Sequence, residues 1–506
     1  MNLEAFFEEL IGELGLEAVD RQADTAARYG ETTLPAGDRG PAGVLYPSST
    51  RQVQAIVRAA NRHDVTLWPI STGNNIGLGS RAPVHAGQVV VDLGRRMNSI
   101  MEVNQELGYA VVEPGVSFQA LQDELARLGD KFMISPTSGP PLGGVLGNAL
   151  DKGGGYGPYF DHFGMLCGME VVLGNGDCIR TGDGSLEAEL RINWHVSKYS
   201  FGPVLDGLFA QSNFGIVTRA AVWLMPRPPA IETFHFTFPD DGDLAEIIDL
   251  LRPMKMSNFV PTLFRLCNDI YAIGSEITSP DYAASGGRRA IGPEARRALQ
   301  AKHGLGAWQI SGAFYGPNAQ AIAPQIERVK AHFGQSGKAR YIAHAQAIEM
   351  PPLRAGIDAM SGRTTHAELG LLKWRPGGGN SWFLPGTPMR GKTAAELDAL
   401  ARGIYERHGM DFMVMHVASA RFARGLHVLV WNRNDLAENQ RADDCYRELA
   451  REFAARGVSV GRAPTDYQAL HNSLLSTDFR RACESIKSAL DPKGVIAPGK
   501  YGIGQA

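Results

Sequence analysis

Residues 45–80 read LYPSSTRQVQAIVRAANRHDVTLWPISTGNNIGLGS, and this stretch sets the architecture of the first half of the chain. Ser49 followed by Gln52 forms a capping box, and Val53, Ile56, Val57 and Ala60 make one apolar helical face. A strand from Val65 to Ile70 then runs directly into the loop Ser71–Ser80. No helix begins after that loop, so it is not the dinucleotide fingerprint of a doubly wound sheet, whose glycines and following helix are both absent. Its amides can still converge on an anion such as a diphosphate, or simply make a glycine-rich turn.

Working outward, QVVVDL and GYAVVEPG supply two further strands, and SFQALQDELARLG is a helix ending at Gly129. Residues 136–160, PTSGPPLGGVLGNALDKGGGYGPYF, are too rich in Gly and Pro for regular structure and too long for a casual connection. GMEVVLGNGDCIRTG is a hairpin turning at Asn175 and Gly176, and NFGIVTRAAVWLMP at 213–226 is a buried strand. At PRPPAIE (226–232) proline density rises and longer helical segments follow, which places a domain boundary there.

The bulk numbers agree. At 506 residues the chain exceeds the ~250–300 at which single cores stop growing, so two domains are expected. With 44% hydrophobic and 20% charged residues it is an ordinary globular composition, and the net charge of −3 provides no basic field for nucleic acid. Five widely spaced cysteines with no CxxC pair argue against a disulfide framework or zinc site, and no histidines stand at metal-ligand spacing. The acidic, amphipathic N-terminus reads as a packed helix rather than a secretory signal, and no stretch is long and apolar enough to span a membrane. The expectation is a cytoplasmic homo-oligomer that acts on a small molecule and holds no metal.

Two other signals carry possible chemistry. Gly386–Thr393 (GTPMRGKT) satisfies the Walker A pattern, which would make the chain a P-loop nucleotide hydrolase. Against this, Pro388 removes an amide from a loop meant to present amides, and no partner strand ends in a magnesium-binding Asp. Asp161 and His162 follow the long loop directly. A carboxylate there can act as a base or orient water, or merely close a turn.

Taken together, YPSSTRQVQAIVRAANRHDVTLWPISTGNNIGLGS, LGNALDKGGGYGPYFDHFGMLCGMEVVLGNGDCIRTG, GPVLDGLFAQSNFGIVTRAAVWLMPRPP, KWRPGGGNSWFLP and DPKGVIAPGK resemble the vanillyl-alcohol oxidase and para-cresol methylhydroxylase family of FAD proteins. The resemblance covers nearly the whole chain. It implies an α+β, two-domain FAD-binding PCMH-type fold, with FAD-binding residues 1–228, an antiparallel-sheet cap over 229–457, and a return to the FAD domain over 458–506.

It also implies cofactor contacts from Pro69, Ser71, Thr72, Gly73, Asn74, Asn75, Ile76 and Gly77 in the first loop, and from Ser138, Gly139, Gly147, Asn148 and Gly155 in the second. His162, Gly168, Glu170, Gly215, Ile216, Val217, Arg462 and Lys500 complete that set. The catalytic pair implied is Asp161, matching the family's acidic residue near flavin N5, and Arg462, matching the arginine beside the flavin pyrimidine. A fixed cation there stabilises the anionic reduced flavin.

The substrate pocket is assigned to Leu78, Asn380, Trp382, Gly461 and Tyr467. Leu78 and Gly461 stand where relatives that oxidise para-substituted phenols place two tyrosines, so a bound phenolate loses two donors, at about 1–3 kcal/mol each. Either Tyr467 substitutes or the substrate is not a simple phenol; a longer aromatic or terpenoid compound, or a carboxylate meeting Arg462, fits a wider, more apolar pocket. Asn380 and Leu371 match the positions of covalent flavin attachment, which implies dissociable FAD. The activity implied is hydride removal from a benzylic, allylic or alcohol carbon, with oxygen or a cytochrome as electron acceptor. A flavin-binding subunit without catalysis is the remaining alternative.

Overall fold

The computed structural model describes residues 2–35 and 37–504. The opening stretch folds as read. Thr50–His63 is a helix with Ser49 accepting from the Gln52 amide, and Val53, Ile56, Val57 and Ala60 are fully buried. The reciprocal half of the capping box differs: the Gln52 side chain reaches back one residue further, accepting from the Ser48 amide at 2.7 Å. The N-terminal helix Leu3–Leu14 packs on this helix through Phe6, Phe7, Leu10 and Leu14.

Two larger sheets and a two-stranded antiparallel pair, Phe132–Met133 with Met225–Pro226, make up the first half. A four-stranded sheet has the order Val19–Asp20, Gly43–Leu45, Val89–Asp92, Leu67–Ile70, and its last three strands are parallel. A five-stranded antiparallel sheet has the order Ile100–Asn104, Tyr109–Val112, Gly215–Trp223, Leu166–Leu173, Cys178–Arg180, and its last pair is the hairpin at Asn175 and Gly176. Within the Gly/Pro-rich segment expected to be irregular, Val145–Leu150 forms a short helix. Val145, Leu146 and Ala149 bury one face of it, which overrides the local glycines.

From 230 to 431 the strands belong to a single eight-stranded sheet in which every pair is antiparallel. The helices Leu244–Met256, Ala319–Gly334, Gly391–Arg407 and Leu436–Ala455 pack on it around a core of Phe234, Phe264, Trp308, Trp431 and Tyr446. The closing segment then returns. Ile496 bridges Leu67 in parallel, and Val495, Ile496 and Ala497 enter the core of the first sheet.

Candidate functional site

A cavity of about 690 Å³ lies between the two loops of the first half and the inner face of the eight-stranded sheet. Strand Leu67–Ile70 delivers the first loop to it, and Gly73 (φ 69°) and Gly77 (φ 75°) take left-handed backbone that turns the chain back on itself. The amides of Thr72, Gly73, Asn74 and Asn75 donate to no acceptor among the described residues. Four neighbouring free amides facing a cavity are a ready anion cradle. The second loop closes on the first: a Cβ on Gly147 would stand 2.1 Å from Ser71 Oγ, so glycine alone permits that approach.

Arg462 is held against both loops, by Asp151, which accepts from Nε at 2.9 Å, and by Asn75, whose Oδ1 accepts from Nη2 at 3.2 Å. The Tyr501 hydroxyl donates to the same Asp151 at 3.0 Å. Lys500 lies over the Trp68 ring at 4.9 Å, and burial lowers its pKa, opposed by Asp151. Asp161 lines the cavity and accepts from the Gly164 amide at 3.0 Å, so it both closes a turn and presents a carboxylate. The remaining wall is largely apolar, with Leu78, Leu263, Trp382, Leu384, Val417 and Leu426.

Of the residues singled out in the sequence, Pro69, Ser71, Thr72, Gly73, Asn74, Asn75, Ile76, Leu78, Ser138, Gly139, Gly147, Asn148, Gly155, Asp161, Gly215, Ile216, Val217, Trp382, Arg462 and Lys500 line this cavity. Others stand behind it. Gly77 packs where a Cβ would meet Asn380 Oδ1 at 2.2 Å and Trp382 at 2.4 Å, so it lets the loop and the cap strand Gly379–Phe383 touch. Asn380 is fully buried in that strand, its amide donating to Thr33 O at 2.9 Å. Leu371 is buried in the core beneath the cap sheet.

His162 ties the second loop to Ser135, the residue that leads into it. Its ring nitrogens stand 2.6 Å from Asn148 Oδ1 and 2.6 Å from Ser135 O, and burial pushes its pKa down to about 4. Both partners are acceptor oxygens and a neutral ring carries one N–H, so the ring donates either through Nε2 to the Ser135 carbonyl or through Nδ1 to Asn148 Oδ1.

Four assignments are corrected in position. Glu170 sits under the five-stranded sheet, paired to Arg219 at 2.6 Å and Arg180 at 3.0 Å and accepting from Thr50 at 2.9 Å. Gly168 (φ 72°) makes room for Trp194, whose carbonyl would lie 2.4 Å from a Cβ. Tyr467 is fully buried, stacked 3.7 Å from Tyr446, so its hydroxyl does not stand in for a missing tyrosine. Gly461 does not itself line the cavity, because the Arg424 guanidinium lies over it: a Cβ there would be 0.9 Å from Arg424 Nη1.

Several cavity residues went unmarked in the sequence. Asp151 lay inside the quoted loop, but nothing marked it as the partner of an arginine 311 positions away. Glu368 accepts from Arg265 at 2.8 Å and from Ser138, whose hydroxyl is 2.9 Å from that of Tyr156. Burial and the Glu368 charge raise the Tyr156 pKa, so the phenol stays protonated. Arg424, on strand Phe422–Trp431, had no local signal at all.

The Walker-like segment does not form a phosphate loop. Gly386–Pro388 is an antiparallel edge strand, and the helix that follows has its Gly391 amide donating to Asp249 at 3.2 Å. A carboxylate thus occupies the position a phosphate would need, and Lys392 points outward, 85% exposed. Among the described residues no group of His, Cys, Asp or Glu is arranged to hold a metal, and no helix is long and apolar enough to cross a membrane.

A free-amide cradle, a cationic wall and an antiparallel cap sheet suit a cofactor that carries phosphate beside an apolar substrate space. The FAD binding domain family matches residues 41–182. The flavoprotein subunit of 4-cresol dehydrogenase [hydroxylating] from Pseudomonas putida is 35% identical over 97% of this chain and 94% of its own length. The 1'-carboxy-chondrochloren decarboxylase of Chondromyces crocatus is 30% identical over 98% of this chain and 96% of its own. A crystal structure of p-cresol methylhydroxylase with substrate bound superposes with a TM-score of 0.96 at 34% identity, covering 99% of this chain and 97% of that one. The chain therefore belongs to the vanillyl-alcohol oxidase and para-cresol methylhydroxylase family, as an FAD-dependent oxidoreductase with that family's two-domain α+β fold.

Proposed function

We propose that the protein removes a hydride from a benzylic or allylic carbon, or from an alcohol carbon, of a small aromatic or terpenoid substrate that is not a simple para-alkylphenol. Bound FAD supplies the two-electron acceptor. The free amides of Thr72–Asn75 would suit its diphosphate, and Lys500 and Arg462 would supply fixed positive charge to the bound cofactor. Arg462 needs no reorganisation when negative charge develops, because Asp151 and Asn75 already hold it.

The Asp161 carboxylate, unpaired with any cation among the described residues, orients the reacting carbon or a water and accepts a released proton at a carboxylate oxygen. Leu78, Leu263, Trp382 and Leu426 exclude water and hold the apolar body of the substrate. FAD is held without a covalent bond, since neither Asn380 nor Leu371 carries a nucleophile.

The observation that carries the reading on substrate is the absence of both expected phenol donors: Leu78 lines the cavity with an apolar side chain, and Gly461 has none. A relative named for decarboxylating a carboxylated compound supports a broader substrate class. The electron acceptor is oxygen or a protein such as a cytochrome; a relative described as a flavoprotein subunit supports the second. Reconstitution with FAD followed by anaerobic stopped-flow mixing with alkylphenols, aryl alcohols and monoterpenes tests the proposal. A protein that takes up no flavin refutes it, and rapid bleaching by 4-cresol refutes the substrate reading.

A further inference from the structure

The guanidinium of Arg424 enters the cavity wall from the cap strand Phe422–Trp431 and makes no hydrogen bond or ion pair with any described residue. Its Nη1 is buried and without a partner. Its cation–π contact among the described residues is with the Phe422 ring, 5.5 Å from Cζ. Burial and the positive charge of Arg462 both depress its pKa, and Asp161 alone opposes them. A cation kept in such a place costs free energy that the folded chain does not recover by itself, which points to an anion arriving from outside.

Gly461 shows that the position is built. Its φ lies outside the left-handed region, so its backbone accepts any residue, yet a Cβ would fall 0.9 Å from Nη1, 2.0 Å from Cζ and 2.6 Å from Nη2 of Arg424. The guanidinium takes the space that a side chain at 461 would fill, and any larger residue there would make it swing aside. Its amide donates to Leu384 O at 2.9 Å and its carbonyl accepts from Gln211 at 2.7 Å, which fixes the floor on which Arg424 rests. Arg462 follows immediately and is already engaged by Asp151. Two guanidinium groups therefore meet at one end of the cavity, one anchored and one with an unused fork.

Building on the flavoenzyme reading above, we propose that Arg424 is a specificity-determining residue whose free fork binds a substrate carboxylate, so that the enzyme acts on an arylalkyl or allylic acid. A carboxylate matches the planar fork with two parallel hydrogen bonds and stays ionised at neutral pH, whereas a phenol offers one oxygen and is protonated there. The anionic end of the substrate lies at Arg424, and the carbon to be oxidised lies toward Asp161.

The test uses the FAD-loaded enzyme and reads ligand affinity from the change in visible flavin absorbance. The probes are 4-methylbenzoate, its neutral isostere 4-methylbenzamide, and 4-cresol. The wild type is expected to bind the carboxylate about tenfold or more tightly than the amide. Arg424→Gln should abolish that preference, and Arg424→Lys, which keeps the charge but not the fork, should retain part of it, with flavin content unchanged in both. Three results overturn the proposal: equal carboxylate affinity in wild type and Arg424→Gln, loss of FAD from a folded Arg424→Lys, which would assign the arginine to the cofactor, or tighter binding of 4-cresol than of 4-methylbenzoate. Failure of the wild type to bind FAD would instead refute the underlying flavoenzyme reading.

Discussion

Gly461→Ala adds one methyl group, and its expected consequence follows from three distances. The new Cβ would lie 0.9, 2.0 and 2.6 Å from Arg424 Nη1, Cζ and Nη2, so the guanidinium must swing away from its present position. The backbone bears no strain from the change, which confines the effect to Arg424. Losing a charge-assisted pair costs about 1.5–3 kcal/mol, so carboxylate affinity should fall roughly 10- to 150-fold. In an Arg424→Ala background the methyl group has nothing to displace, and the same substitution should be neutral. The assay is a double-mutant cycle on 4-methylbenzoate affinity measured by flavin absorbance, with a coupling energy near the full single-mutant effect. An equal loss in both backgrounds, or no loss in either, would refute the link between these two residues.

Four other expectations follow from particular contacts. Acid precipitation of the holoenzyme should release all the flavin into the supernatant; yellow colour retained in the pellet would show a covalent bond and contradict the reading of Asn380. Asp151→Asn removes the charge that anchors Arg462, 14% exposed, and should weaken FAD binding about tenfold in a flavin-fluorescence titration.

Glu170→Ala leaves Arg219 and Arg180 without their carboxylate, at about 2–4 kcal/mol in denaturant unfolding, discounted because Arg180 is 34% exposed. The flavin spectrum of the folded variant should be unchanged, since Glu170 lies outside the cavity. His162 has its folded pKa pushed down to about 4 against 6.5, so the unfolded state binds more protons between those values and stability falls as pH drops from 6.5 to 4. His162→Asn should lessen that pH dependence by up to about 3 kcal/mol in unfolding series across the window, and an unaltered slope would contradict a neutral buried ring.

How much of this was legible in the sequence depends on how far apart the partners lie. Helix Thr50–His63 and the hairpin at Asn175 and Gly176 are written in local periodicity and turn chemistry, and so were readable directly. The first loop was readable because strand and glycines are contiguous. The short helix Val145–Leu150 was missed because tertiary burial of three apolar residues outweighs the glycines around them.

The site divides in the same way. Asp161 and Arg462 came from motif resemblance, and both line the cavity. Resemblance also supplied Glu170 and Gly168, whose positions serve a buried ion-pair network and the seating of Trp194. Tyr467 was drawn in as a spare hydroxyl, but aromatic stacking holds it in the core. Reading Gly461 as lost bulk was half of the matter. The space is filled by Arg424, 37 positions earlier on strand Phe422–Trp431, and no pattern along the chain links the two.

The central claim is FAD-dependent hydride removal from a substrate held by cations rather than by tyrosine hydroxyls. Anaerobic stopped-flow absorbance of the holoenzyme, mixed in parallel with a para-alkylphenol and with the corresponding arylalkyl acids, measures it directly. The account predicts slow or no bleaching by the phenol and faster bleaching by an acid that Arg424→Gln abolishes. Rapid bleaching by 4-cresol, undiminished in Arg424→Gln, would contradict it.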